Sequence, residues 1–107
     1  MIYKIYTRFN NNTVDKYEET NFSAVFSAPD NIAAIKAAQK YVFNRQQTLT
    51  NFKLQQIFLY LYDIKEPEEN GYIGTTLGDM ILNWTASLSA DSFEKYIRKV
   101  ITGKITD

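Results

Sequence analysis

Ile57-Phe58-Leu59-Tyr60-Leu61-Tyr62 is the most apolar run in the chain, and its reading decides the fold. It is only a strand long, far short of the roughly 20 apolar residues that a membrane-spanning helix needs. Both of its faces are apolar, the signature of a central strand covered on both sides, within a predicted strand from about Phe52 to Ile64. Two coverings are open: a helix on each face, or a helix on one face and another protein on the other.

Upstream, Tyr3, Ile5 and Phe9 alternate with Lys4, Tyr6 and Arg8, the period of two of a half-buried strand. Asn10-Asn11-Asn12 is expected to break it at a hairpin tip, because Asn tolerates positive φ, with the chain returning through Val14 and Tyr17. The returning strand places Phe22, Ala24, Phe26 and Ala28 on one face and Ser23, Val25 and Ser27 on the other, with a bulge or bend expected at Glu18-Glu19-Thr20-Asn21. Asp30 then caps a helix with Ile32, Ile35, Ala38 and Val42 on its apolar side, fading into a loop at Asn44-Arg45-Gln46-Gln47-Thr48.

Downstream of the central run, Glu66-Pro67-Glu68-Glu69 and Asn70-Gly71 signal a turn that could return a short strand at Tyr72-Ile73. Thr76-Leu77-Gly78-Asp79 has the form of a capping box, and Leu77, Met80 or Ile81, Trp84 and Leu88 make a helical stripe. Ser89 or Asp91 is expected to cap a last helix with Phe93, Ile97, Val100 and Ile101 inward and Gly103 as its stop. The expected architecture is α+β: a small antiparallel sheet of three to four strands (hairpin, helix, central strand) with two C-terminal helices, as a single domain over residues 1–107.

Composition narrows the chemistry. The 107 residues contain no Cys and no His, which removes thiol nucleophiles, imidazole bases and the usual zinc and haem ligands, so no metal and no cofactor is expected. Twelve basic and twelve acidic side chains cancel, and a hydrophobic fraction of 45% marks a globular chain. The N-terminus lacks the continuous apolar run of a secretion signal, so a soluble cytoplasmic protein without membrane association is expected. The triplets at Asn11, Asn21 and Asn83 that resemble glycosylation acceptors then read as chance. Codons rich in A and T encode well over a third of the residues (Phe, Tyr, Met, Ile, Asn, Lys), which suits a low-GC bacterium or its phages and mobile elements.

Three candidate chemistries have weak support. The carboxylates Asp63, Glu66, Glu68 and Glu69 sit in a turn where water screens them, so nothing separates their pKa values into acid and base roles. Gly71, Gly74 and Gly78 surround a predicted helix start but match neither the dinucleotide fingerprint nor the P-loop; whether a small ligand binds near Gly74–Gly78 is left open. Lys4 and Arg8 on the first strand, with Lys36, Lys40 and Arg45 on the first helix, are candidate nucleic-acid contacts interleaved with aromatics. The first half of the chain carries about three net positive charges and the rest about three net negative, whereas a dedicated nucleic-acid binder is usually basic overall.

The aromatic excess is the strongest functional signal. Eight Tyr and seven Phe exceed what one small core readily hides, and Tyr6, Val25, Tyr60 and Tyr62 would form an outer sheet face if helices cover only the other side. The expected function is therefore a non-enzymatic protein-interaction module with a host protein or a second copy of itself as partner. The genre it fits is an accessory protein of a phage or mobile element that binds and inhibits or modulates a host protein, in the manner of anti-defence and anti-CRISPR inhibitors. The alternative is a nucleic-acid-associated protein using the basic face of the first helix and first strand.

Overall fold

A computed structural model describes residues 1–12, 17–67 and 73–103. Four strands and two helices follow one another as β1 (Ile2–Asn12), β2 (Tyr17–Ser27), α1 (Asn31–Thr48), β3 (Lys53–Pro67), β4 (Ile73–Thr85) and α2 (Phe93–Ile101). The sheet is antiparallel throughout, in the order β2-β1-β3-β4, so the fold is α+β with β1 and β3 central.

Alternation in β1 sets the layers. Tyr3, Ile5, Thr7 and Phe9 are all fully buried, and their neighbours across the ladders, such as Ala24, Ile57 and Leu59, lie on the same face. On that face α1 lays down Ala34, Ile35, Ala38 and Val42, and α2 adds Phe93 and Ile97. Thr7, the one polar member of this buried row, donates its hydroxyl to the Phe22 carbonyl at 3.4 Å.

The ends of α1 are tied locally. The Asp30 side chain accepts from the Ala33 N–H at 2.8 Å, as expected of an N-cap, and the Tyr3 hydroxyl donates to Asn31 Oδ1 at 2.8 Å. Burial pushes the Tyr3 phenol above its usual pKa, and the nearby Asp30 charge adds to the effect. Ile32, expected inside, is 42% exposed because the buried stripe runs through Ala34 and Ile35 instead. The helix also does not fade at Asn44: it continues to Thr48, where the Gln46 amide donates to the Leu49 and Phe52 carbonyls and the Arg45 guanidinium lies 4.4 Å from the Phe22 ring centroid. Tertiary contacts thus extend a stretch whose composition alone reads as loop.

Two expectations about the hairpin change. β1 runs unbroken through Asn10–Asn12, and β2 pairs with it in one register from Tyr17 to Ser27, with no bulge at Glu18–Asn21. The bulge in this region falls in the β1–β3 ladder, at Arg8/Phe9. The Asn10–Asn12 triplet is thus strand and not the tip; Val14 lies outside the described residues, as do Glu68, Glu69, Asn70, Gly71 and Tyr72 of the acidic turn.

The helix expected from Thr76 to Leu88 does not exist; the segment is strand β4. The reason lies in its ladder with β3. From Leu59–Leu82 to Tyr60–Met80, β4 advances two residues for one on β3, and from Tyr60–Met80 to Tyr62–Leu77 it advances three for two. Each extra residue is a β-bulge, and bulges stretch the alternation of two into spacings of three and four. The apolar positions 77, 80 or 81 and 84 therefore imitate a helix while belonging to a strand. Leu88, the last member of the imagined stripe, is 87% exposed in the turn that follows.

Among the described residues, one C-terminal helix remains. Its N-cap is Ser92, whose hydroxyl accepts from the Lys95 N–H at 3.3 Å, in place of the expected Ser89 or Asp91. Both of those residues serve the turn: Ser89 Oγ accepts from the Asp91 N–H at 3.2 Å, and the Asp91 carbonyl accepts from the Trp84 indole at 3.0 Å. Gly103, at φ 71°, ends the helix as expected. The Asp91 carboxylate holds Lys99 at 2.5 Å and Lys95 at 3.4 Å, and these contacts, the Lys99 hydrogen bond first, keep its pKa below the usual carboxylate value.

Two outcomes test this fold. Leu82→Ala should cost about 2–5 kcal/mol in a urea titration, because Leu82 is 1% exposed on the helix-covered face. Met80→Ala on the other face should cost under about 1 kcal/mol, whereas a helical segment with Met80 in its stripe would make the two losses comparable. Asp91→Asn should lower the urea midpoint at pH 7. Since the folded-state pKa of Asp91 is depressed, its contribution is present above the unfolded value of about 3.9 and fades as pH falls through the folded one, so variant and parent should converge in acid.

Candidate functional site: the open face of the sheet

Period two leaves the even-numbered residues of β1 on the side away from both helices. Across the ladders, Lys4 stands beside Val25 and Tyr60, Tyr6 beside Ser23 and Phe58, and Arg8 beside Asn21 and Gln56. β4 continues the rows with Met80 beside Tyr60 and Asn83 beside Phe58. Among the described residues, no element covers this face.

The face is aromatic at its centre. Tyr6 and Phe58 stack with ring centroids 6.0 Å apart, and the Lys4 ammonium lies 5.5 Å from the Tyr62 ring centroid. Tyr6, Phe58, Tyr60 and Tyr62 are all half-buried by their neighbours, while Val25 and Met80 at the flanks are each 53% exposed. A shallow hollow of about 560 Å³ opens between Tyr6, Phe58, Tyr60 and Met80, with Lys4 and Gln56 at its rim. Arg8 brings a second cation, and its Nε is buried without a hydrogen-bond partner.

The four residues expected to form an outer face, Tyr6, Val25, Tyr60 and Tyr62, are brought together on it. Of the two coverings open for β3, a helix on each face is not what the described residues show: Leu59 is fully buried beneath the helices, while the tyrosines on the other face are half-buried. Two members of the face were not anticipated. Phe58 shares the parity of Tyr60 and could have been found from that alone; Met80 was hidden by the bulges of β4.

The basic residues are divided rather than gathered. Lys4 and Arg8 lie on the open face, whereas Lys36 and Lys40 are exposed on α1 in the opposite layer. Arg45 is engaged within the chain, over the rings of Phe22 and Tyr41 at 4.4 and 5.5 Å. No single surface therefore carries all five candidate nucleic-acid contacts. Gly74 and Gly78 lie in β4, so no helix N-terminus faces an anion there. Of the acidic set, Asp63 and Glu66 fall within β3. Among the described residues, no three His, Cys, Asp or Glu side chains group as metal ligands, and no helix is long and apolar enough to cross a membrane.

Compared with protein-family models, with curated proteins and with solved structures, the chain matches none.

The surface character of the patch has a direct consequence. Tyr60→Ser and Phe58→Ser, which remove half-buried rings, should each cost less in urea than truncation of the fully buried Ile57 or Leu59 on the same strand, about 2–5 kcal/mol.

Proposed function

We propose that this protein is a non-enzymatic interaction module that docks on another protein through the open sheet face. The observation that carries the reading is the composition of that face. An antiparallel sheet with one solvated side ordinarily alternates apolar-in with polar-out. Here β3 presents Phe58, Tyr60 and Tyr62 on the outer side, joined by Tyr6, Met80 and Val25. Aromatic residues, Met and Arg are the types enriched where protein surfaces meet, because they offer large contact areas with a polar or polarisable part. The mechanism is steric: rings and the Arg8 guanidinium anchor the partner, and the sheet then blocks or organises it. The abundance of residue types whose codons are rich in A and T and the zero net charge are in keeping with an accessory protein of a phage or mobile element acting on a host protein.

A second reading, association with single-stranded nucleic acid, draws on Lys4 and Arg8 lying among stackable rings. It involves the sheet alone and not α1.

Affinity capture from the native host, run in parallel with the parent chain and a Tyr60→Ser/Phe58→Ser variant, discriminates these readings. Protein docking predicts a protein retained by the parent at stoichiometric yield and lost with the variant. Equal retention by both, or retention abolished by nuclease and restored by a labelled single-stranded oligonucleotide in a salt-dependent way, would remove the protein-docking reading.

A further inference from the structure

The two edges of the sheet are built differently. β4 is interrupted by bulges, which twist an edge away from foreign strands, whereas β2 has no bulge and carries its charges, Glu18 and Glu19, near one end only. It runs for 11 residues in a single register, without proline, lysine or arginine, and α1 reaches it through Arg45 on the Phe22 ring. Phe22 and Phe26, on its helix-side face, are half-buried.

The hydrogen-bond phase of the β1–β2 ladder shows which main-chain groups are free. Met1 N donates to the Ala28 carbonyl at 2.9 Å and Ala28 N to the Met1 carbonyl at 3.0 Å, so this is a hydrogen-bonded pair. In an antiparallel ladder every second pair is of the same kind, here Tyr3–Phe26, Ile5–Ala24 and Thr7–Phe22. The even-numbered residues of β2 thus face β1, and Glu19, Asn21, Ser23, Val25 and Ser27 aim their N–H and C=O groups at the outer edge. Among the described residues, nothing bonds to these outward groups.

From this we infer that the outer edge of β2 pairs with β2 of a second copy, antiparallel across a two-fold axis, to give one eight-stranded sheet. The strand is its own complement. Overlapped with itself over its whole length, it sets Tyr17 against Ser27 of the second copy, Glu19 against Val25 and Asn21 against Ser23, odd against odd, so that every outward group meets another. Between these, Phe22 meets Phe22 and Glu18 meets Phe26. No two charged β2 side chains stand opposite in this overlap. The Phe22 pair covers the part of each half-buried ring that the Arg45 guanidinium of α1 does not reach. The axis keeps both helical layers on one side, so two open faces merge into one continuous surface. The pairing uses backbone groups at the edge and does not depend on what docks on that surface.

Sedimentation equilibrium of the full chain tests the inference. A dimer of the 12.4 kDa chain is expected. Ser23→Pro should convert it to a monomer with unchanged circular dichroism, because the lost N–H points outward and supports nothing within the chain. If that variant loses its fold, Asn21→Glu/Ser23→Glu provides the same reading by setting like charges opposite across the axis. The chain has no cysteine of its own, so Phe22→Cys should form a disulfide-linked dimer on mild oxidation: non-hydrogen-bonded pairs bring Cα atoms to about 4.5 Å. A parent chain that stays monomeric at high micromolar concentration would overturn the inference. So would a dimer that survives both edge variants and is lost with Tyr60→Ser/Phe58→Ser, since its copies would then meet through the faces instead.

Discussion

One-sided burial is the constraint from which the rest of this structure follows. β1 sits between β2 and β3, and its odd-numbered side chains, Tyr3, Ile5, Thr7 and Phe9, are sealed against the helical layer. Alternation along a strand then leaves no choice about Lys4, Tyr6 and Arg8. They must stand on the other side, and both helices are already committed to the first. α1 contributes small residues, Ala34 and Ala38, that let it lie close to the sheet, and α2 closes the end of the layer through the edge-to-face contact of Phe93 with Trp84, ring centroids 5.6 Å apart. Hydrophobic burial thereby consumes the chain's helices on one face and leaves β3, apolar on both sides, with its aromatic side unaccompanied.

The same economy of elements shapes the edges. Four strands need two ends, and the chain blunts only one of them. In β4 the bulges around Met80 and between Met80 and Leu77 break the regular row of main-chain groups, while β2 presents an unbroken row. The described part of the sheet thus carries an aromatic face and an edge strand without a bulge. The charged pairs that are present serve local anchoring, as Asp91 does for Lys95 and Lys99 at the start of α2.

Much of this was legible from residue order. Strict alternation in β1 and β2 gave their faces, Asp30 gave the start of α1, and Tyr6, Val25, Tyr60 and Tyr62 were placed together because each can be counted by parity from a neighbour. What stayed hidden was hidden for physical reasons. The bulges of β4 disguise a strand as a helix, since spacings of three and four are the period of one and the interrupted period of the other. Asn44–Thr48 is helical because Arg45 and Gln46 find partners on Phe22 and Phe52, the first of them close in space but 23 residues away in sequence. The division of the basic residues between two layers likewise depends on which side of the sheet α1 chooses, and no periodicity states that.

The central claim is that, among the described residues, helices seal one side of this sheet and leave its aromatic side open, and hydroxyl-radical footprinting read by mass spectrometry tests it most directly. The account predicts rapid modification of Met80, Tyr60 and Phe58 together with strong protection of Tyr3, Phe9 and Trp84 in the same sample. Protection of Met80, Tyr60 and Phe58 to the level of Tyr3 in a chain shown to be monomeric would contradict it, because some part of the chain would then have to lie across the face.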